Sequence, residues 1–344
     1  MRKYLLTLAI IALAVVANAQ SKAEKEPYLT RSLSADAIKN VEAKTSGGSI
    51  SVTGVAPSES RIEVYVSGNN NQQLSKEEIR QRLDELYSLH ISVAGNKLTA
   101  TSRAKEKIRD WKSALNIAYK IYVPQAISTD LATSGGSIHL TNLAGAQSFS
   151  TSGGSLHLKT ISGKMEGRTS GGSIQLEDSR DDIDLQTSGG SIHAKNSSGN
   201  IRLQTSGGSL DLEQLKGTIK ASTSGGSVNG NNIEGELVAH TSGGNVKLSD
   251  MMSSLETSTS GGNISVSFTK MGKYVKVNNS AGNVSITLPA GNGLDLDLSG
   301  DISNTSFSNF SGKIDDNEVR GKLNGGGIPV TVHAGSGKIR LNIK

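Results

Sequence analysis

Three histidines of this chain fall on one repeating position: His139, His157 and His193, with Gln175 between the second and third. Imidazoles stacked on neighbouring rungs could ligate a metal. The same position continues as Asp211, Asn229 and Lys247, a solvated ladder with neither the ligand count nor the supporting shell of a metal site. Glu166 and Asp184 also stand one interval apart. On adjacent rungs two carboxylates could lie ~5 Å from each other, the separation that retaining glycosidases use. Arg202 and Lys220 follow at the same position, so charge balance accounts for the acids. The third candidate is a set of glycine pairs: Gly135 and Gly136, Gly153 and Gly154, Gly171 and Gly172, Gly189 and Gly190, Gly207 and Gly208, Gly225 and Gly226, Gly243 and Gly244, Gly261 and Gly262. Calcium-binding nonapeptides need a further glycine and an aspartate that SGGSIHLTN lacks, and no GKS or GKT follows to make a phosphate cradle. These glycines are therefore read as structural turn residues that supply positive φ. No catalytic residue, cofactor or metal site is assigned.

The elements that carry these residues are written in the spacing. Thr-Ser-Gly-Gly begins at Thr133, Thr151, Thr169, Thr187, Thr205, Thr223, Thr241 and Thr259, in steps of 18, with an earlier copy at Thr45. Each unit divides into two nines, and the second often has its own glycine, as at Gly145, Gly163, Gly199, Gly217 and Gly235. Apolar residues alternate within each half, which marks strands with one buried face. One inward column runs Ile138, Leu156, Ile174, Ile192, Leu210, Val228, Val246, Ile264, and a second runs Leu140, Leu158, Leu176, Ala194, Leu212, Gly230, Leu248, Val266. The second half offers Met165, Ile183, Ile201, Ile219, Leu237 and Leu255.

A nine-residue strand cannot bury its face alone, but coils stacked ~4.8 Å apart can. The expected fold is all-β: a β-solenoid, or β-helix, of stacked 18-residue coils (9+9) over residues 131–276. Outward residues support the register independently. Lys159, Glu177, Lys195 and Glu213 alternate in sign at one position. Asn142, Thr160, Asp178, Asn196, Gln214, Asn232 and Asp250 form a polar corner able to bridge coil to coil.

Both flanks depart from the repeat. Residues 20–130 predict an irregular N-terminal β region with strands at Arg61–Val66, Ile91–Val93, Lys97–Thr101 and Asn116–Val123. A helix is expected at about 75–89, with a Ser75/Glu78 capping box and Leu74, Ile79, Leu83 and Leu86 on one face. It either packs on the side or N-terminal end of the solenoid, or binds a partner. Residues 277–344 predict irregular C-terminal coils, with SGKIRLNIK as the last coil.

Residues 1–19 have the parts of a signal peptide: Arg2 and Lys3, an apolar stretch Leu5 to Val16, and Ala17-Asn18-Ala19. Cleavage would leave Gln20, and no second apolar stretch approaches the ~20 residues of a membrane span. The expected location is periplasm, cell surface or exterior. The chain has no cysteine, which closes disulfide, thiol and zinc–thiolate chemistry. Its formal charge of +5 falls to +3 once Arg2 and Lys3 leave (5 − 2), with no Lys/Arg cluster interleaved with aromatics to read nucleic acid.

The segment NIAYKIYVPQAISTDLATSGGSIHLTNLAG followed by serial TSGGSI copies resembles the bacterial "putative adhesin" family, a β-helical domain of unknown function. The resemblance covers about Val41 to the C-terminus. It implies a cell-envelope or surface protein and carries over no catalytic residue. Export, a rigid rod, polar Ser/Thr/Asn/Lys-rich faces and no expected pocket point to a non-enzymatic adhesin-like or scaffold module, whose partner is an envelope protein or surface glycan. The alternative is a carbohydrate-active β-helix enzyme acting on polysaccharide. Against it, Tyr and Trp are absent from Thr133 to Lys273, where sugar platforms would be needed, and the coil length never varies.

Overall fold

The computed structural model describes residues 26–69, 72–108, 110–303 and 307–344. The signal-peptide expectation at 1–19 lies outside the described residues. Across the repeats, parallel strands pair residues eighteen positions apart. Ile174 stands opposite Ile192 and Leu176 opposite Ala194. Ile183 faces Ile201 and Leu185 faces Leu203. Alternation in sequence thus becomes continuous columns, and Ile138, Leu156, Ile174, Ile192, Leu210 and Val228 are all 0% exposed. Each such side chain contributes about 1.5–3 kcal/mol by leaving water, so the columns carry the stability of a chain that has no cross-links.

The coil is not two equal halves. A short strand such as Ile174–Glu177 is followed by a longer one, Arg180–Thr187. The corner between them is left-handed: Asn142, Thr160, Asp178, Asn196, Gln214, Asn232 and Asp250 have φ between 46° and 57°. Asn and Asp tolerate this region better than most residues, which explains their frequency at the corner. Just past it lies an inward column absent from the sequence reading: Leu143, Ile161, Ser179, Ser197, Leu215, Ile233 and Met251, all buried. Where that column is serine, the hydroxyl works within the backbone ladder. Ser179 N donates to Ser197 Oγ at 3.1 Å, and Ser179 Oγ donates to the Glu177 carbonyl at 2.8 Å.

The reason given for the paired glycines needs correction. None of the sixteen has positive φ; that conformation belongs to the polar corner and to second-half glycines such as Gly199, at φ 117°. The second glycine of each pair is instead crowded by the coil beneath. A Cβ on Gly190 would overlap the Gly172 carbonyl and the Ser173 nitrogen, whereas one on Gly189 would meet nothing nearer than Ser170 O at 3.5 Å. The threonine of the motif is part of the same device. Thr205 is 2% exposed; its Oγ1 donates to Gly190 O at 2.8 Å and accepts from Gly208 N at 3.2 Å. The same pair of bonds recurs at Thr151, Thr169, Thr187, Thr223, Thr241 and Thr259.

At both ends the stacking order departs from chain order. The early copy Asn40–Val55 is sandwiched: Ile50 pairs with Ile138 on one side and with Tyr119 on the other. On the second face Thr45 pairs with Thr133 while Val41 pairs with Leu98. Outside this layer the strands turn antiparallel, with Arg61–Gly68 and then Leu29–Ser32 on one face and Tyr87–Ala94 on the other. The helix Lys76–Leu86 has the Ser75/Glu78 capping box, buries Ile79 and Leu83, and touches both outer faces of this end. It stops before residue 89. Tyr87 is already extended, and Leu89, Ile91 and Val93 alternate as a strand.

The C-terminal end repeats the plan. Ile328–Ile343 returns to lie on Val284–Leu288, with Val284 opposite Ile339, and on Val275–Asn279. Leu294–Ile302 then stacks outside it, followed by the antiparallel strands Glu318–Leu323 and Phe310–Ile314. SGKIRLNIK therefore forms a coil on Val284–Leu288; Asp301 and Ile302 pair with Lys338 and Ile339, and among the described residues no further strand lies beyond Arg340–Ile343. The motif persists in altered spelling where the spacing breaks. Asn279 takes the threonine place, its Nδ2 donating to Gly262 O at 3.0 Å. Asn263 N donates to Asn245 Oδ1, Asn283 N to Asn263 Oδ1 and Lys338 N to Asn283 Oδ1, which continues the ladder across the irregular spacing.

Candidate functional site

The short strands present one polar face. On it His139 and His157 stack, with ring centroids 4.5 Å apart and planes within 3°. His157 Nδ1 bonds Gln175 Oε1 at 2.9 Å, and His193 turns instead to Asp211 at 2.9 Å. The in-plane lone pairs of parallel rings lie in separate planes and do not meet at a shared point, and among the described residues no three His, Asp or Glu side chains converge as a metal site.

The stack does set a pH response. Burial, and secondarily the neighbouring His157, hold the His139 imidazole below its ordinary pKa. The unfolded chain then binds the proton more readily than the folded one. Stability is complete above the ordinary histidine range and declines as pH falls through it. Thermal melts from about pH 7.5 to about pH 5 should show that decline in the wild type and a shallower one in His139→Gln. Equal slopes would exclude the stack as the cause.

Next along the strand, the alternating charges form discrete pairs: Lys159 with Glu177 at 3.2 Å and Lys195 with Glu213 at 3.0 Å. All four side chains are about half exposed, so each pair contributes ~0–1 kcal/mol and serves register more than stability. Asn229 Nδ2 donates to Asp211 Oδ1 at 2.8 Å and Asn231 Nδ2 to Ser249 Oγ at 2.8 Å, so amides extend the ladder toward the C-terminal side. Between these rows, over the backbone of Leu176, Ala194, Leu212 and Gly230, runs an open groove of about 600 Å³ from Gln175 to Ser249.

The long strands present a second face, where Glu166, Asp184, Arg202 and Lys220 stand in one column. Glu166 turns away from Asp184 to Lys164, at 2.7 Å. That lysine holds the Glu166 carboxyl below the usual range. A glycosidase acid must retain its proton near neutral pH, so this displacement runs in the wrong direction. Asp184 accepts from Gln186 at 3.1 Å. The groove on this face is smaller, about 400 Å³, and also open.

Sequence reasoning missed the charged and aromatic patch on the N-terminal strands. Arg61 lies 3.8 Å from the centroid of Tyr122, and Lys120 lies 4.8 Å from that of Tyr65. On the opposite face Glu42 bridges Lys44 and Lys97, which pull its carboxyl down to about 2. Alternation within each strand was visible. The pairing of Glu42 with Lys97 required knowing that the chain doubles back around its first coil, and no local pattern encodes that.

Fold and faces together define a capped β-solenoid whose outward residues are ordered ladders around open grooves. Residues 177–342 match the model of the Toastrack DUF4097 family, in agreement with the resemblance carried by the repeats. No curated protein matches the chain. Among solved structures it is similar to a putative cell adhesion protein from Clostridium sporogenes ATCC 15579, with 9% identity, 92% of this chain and 98% of that one covered, and a TM-score of 0.19. It is also similar to a putative adhesin from Bacteroides fragilis NCTC 9343, with 14% identity, coverage of 91% and 96%, and a TM-score of 0.24. Among the described residues no helix is long and apolar enough to cross a membrane.

Proposed function

We propose that the chain is a non-enzymatic module of the cell envelope, exported by the segment ending at Ala19, that works as an adhesin-like or scaffold rod. In this reading the rod is a solenoid of 18-residue coils, and the helix Lys76–Leu86 is part of its N-terminal closure. The partner is a surface glycan or an envelope protein. The observation that carries the proposal is the open groove of the short-strand face, where His193, Asp211, Asn229, Lys195, Glu213 and Asn231 repeat hydrogen-bonding groups from coil to coil. Such a surface suits an extended polar chain that meets the same donors and acceptors at every step. It encloses too little to exclude water from a reacting bond.

The test is binding of the mature protein to an array of envelope polysaccharides, with Asn229→Ala/Asn231→Ala beside the wild type. Both amides are exposed, so the double variant should keep its melting temperature. Retention is expected to fall about tenfold, as loss of two modest hydrogen bonds would give. Equal retention by both proteins would move the contact elsewhere, and release of oligosaccharides would overturn the non-enzymatic reading.

A further inference from the structure

Among the described residues only three large apolar side chains are exposed, Leu29, Ile314 and Trp111, and Trp111 is the most exposed at 75%. It is also the single tryptophan of the chain. One exposed apolar residue is ordinary on a protein surface. The setting of this one is not.

Trp111 lies in a corner lengthened beyond the coil plan. Lys44 stands opposite Thr101 and Ile50 opposite Tyr119. The corner that residues 45–49 turn in the first repeat copy therefore takes residues 102–118 in the layer stacked on it. This excursion is firmly held. Asp110 caps the short helical turn Trp111–Ser113, accepting from Lys112 N at 3.0 Å and from Ser113 Oγ at 3.2 Å. Asn69 Nδ2 donates to Trp111 O at 3.3 Å, and Arg82 Nη1 of the helix donates to Lys112 O at 3.0 Å. Ile108 packs against the core. The backbone is fixed from several sides while the indole is left in water.

The charge around it has one dominant sign. Residues 103–113, RAKEKIRDWKS, contain five basic and two acidic residues, a net +3 (5 − 2). That equals the whole net charge left once Arg2 and Lys3 are removed, so the rest of the mature chain sums to zero. Of the two acids, Asp110 is engaged in the turn and Glu106 is exposed. Arg103, Lys107 and Lys112 are exposed and meet no carboxylate among the described residues. The coil lysines differ, since Lys159 and Lys195 each sit on a glutamate. With Glu106 and Asp110 between them, the basic residues form no block in the sequence. Their common exposure beside one indole emerges only in the fold.

We propose that this corner is a membrane-contact site, with Trp111 seated at the headgroup level of a bilayer and Arg103, Lys107 and Lys112 on its anionic lipids. Tryptophan favours that level because its ring is apolar and its N–H polar, and each nearby cation adds attraction to an anionic surface. Long basic side chains can keep their charged ends among the phosphates while their stems lie against apolar surface. An acidic glycan would satisfy the charge but offers no apolar layer to take the ring. The inference goes beyond the groove and rests on the envelope reading only for bringing the chain to a lipid surface. The rod then stands on the bilayer by its N-terminal end, and the short-strand groove stays free.

Because Trp111 is the only tryptophan, its emission reports this contact alone. The mature chain, without the apolar stretch Leu5 to Val16 that would enter a bilayer by itself, is mixed with vesicles of equal parts phosphatidylglycerol and phosphatidylcholine. A blue shift and co-flotation are expected, both lost with phosphatidylcholine alone and both weakened by salt. Trp111→Ala and Lys107→Glu/Lys112→Glu should each reduce flotation about tenfold or more, with an unchanged melting temperature. Asn229→Ala/Asn231→Ala should float as the wild type does, so failure on the glycan array and failure to float are separate results. A wild type that does not float would overturn the proposal. Flotation without an emission change would overturn it too, by placing the contact elsewhere. An emission shift with a soluble acidic polysaccharide but not with vesicles would overturn it by assigning the corner to a glycan.

Discussion

Gly190→Ala is expected to lower the stability of the rod by about 3–5 kcal/mol, the range in which a single substitution signals a specific structural fault. The neighbouring Gly189→Ala should stay within about 1 kcal/mol of the wild type and can even gain slightly through the unfolded chain. Both add one methyl group to a turn whose glycines have ordinary negative φ, so backbone preference does not separate them. Space does. The Gly190 methyl would overlap the Gly172 carbonyl and the Ser173 nitrogen, which are backbone atoms of the next coil, while the Gly189 methyl would sit 3.5 Å from Ser170 O. The obstructing carbonyl is held in turn: it accepts from Thr187 Oγ1 at 2.8 Å. Relief requires parting two coils, and that disturbs every column between them. Urea denaturation of the two variants beside the wild type decides the matter. Equal losses would mean that the coils do not approach each other at the glycine pair.

The second large effect is expected at Thr205. Thr205→Val keeps the shape and adds apolar surface at a site that is 2% exposed, so a purely hydrophobic account would favour the variant. Yet it strips a partner from two backbone groups, the Gly190 carbonyl and the Gly208 amide. An unsatisfied buried polar group costs about 1–3 kcal/mol, so the pair should cost about 2–5 kcal/mol and outweigh the gain of one methyl. Thr205→Ser keeps both bonds and loses one methyl, for about 1 kcal/mol. The expected order of melting temperature is therefore wild type, serine, valine. Valine above serine would show that the ladder is incidental to packing. Because Gly190 contributes the acceptor, Gly190→Ala and Thr205→Val should also fail to add when combined.

These two sites also show how far the sequence could be read. The aliphatic columns were legible because an uninterrupted period turns position into height, and Ile174 opposite Ile192 needed no other information. The glycine pairs were found for an incomplete reason. Glycine marks both left-handed backbone and close approach, and the letters alone do not say which; here the left-handed places were taken by residues such as Asp178 and Asn196. The column through Ser179 and Ser197 was hidden because serine looks like a surface residue until its hydroxyl is seen bonded within the ladder. On the outer faces, the charge alternation of Lys159, Glu177, Lys195 and Glu213 was legible, but its resolution into separate pairs depends on side-chain direction. The patch of Arg61, Tyr122, Lys120 and Tyr65 was not legible, since antiparallel pairing of segments so far apart leaves no period to follow.

The doubling-back at each end changes what it means to trim this molecule. In a simple stack, cutting the tail takes away the top layer and exposes a similar one beneath. Here the first part of the final segment, Val330–His333, lies between Val275–Asn279 and Leu294–Ile302. A protease that clipped it would pull out an internal floor, stranding the cap above a gap rather than shortening the building by a storey. The first repeat copy, Asn40–Val55, is locked between later segments in the same way. The first layer cannot close as it leaves the ribosome and must wait for partners that the chain has still to make, whereas at the other end Leu294–Ile302 must wait for the final segment to arrive beneath it.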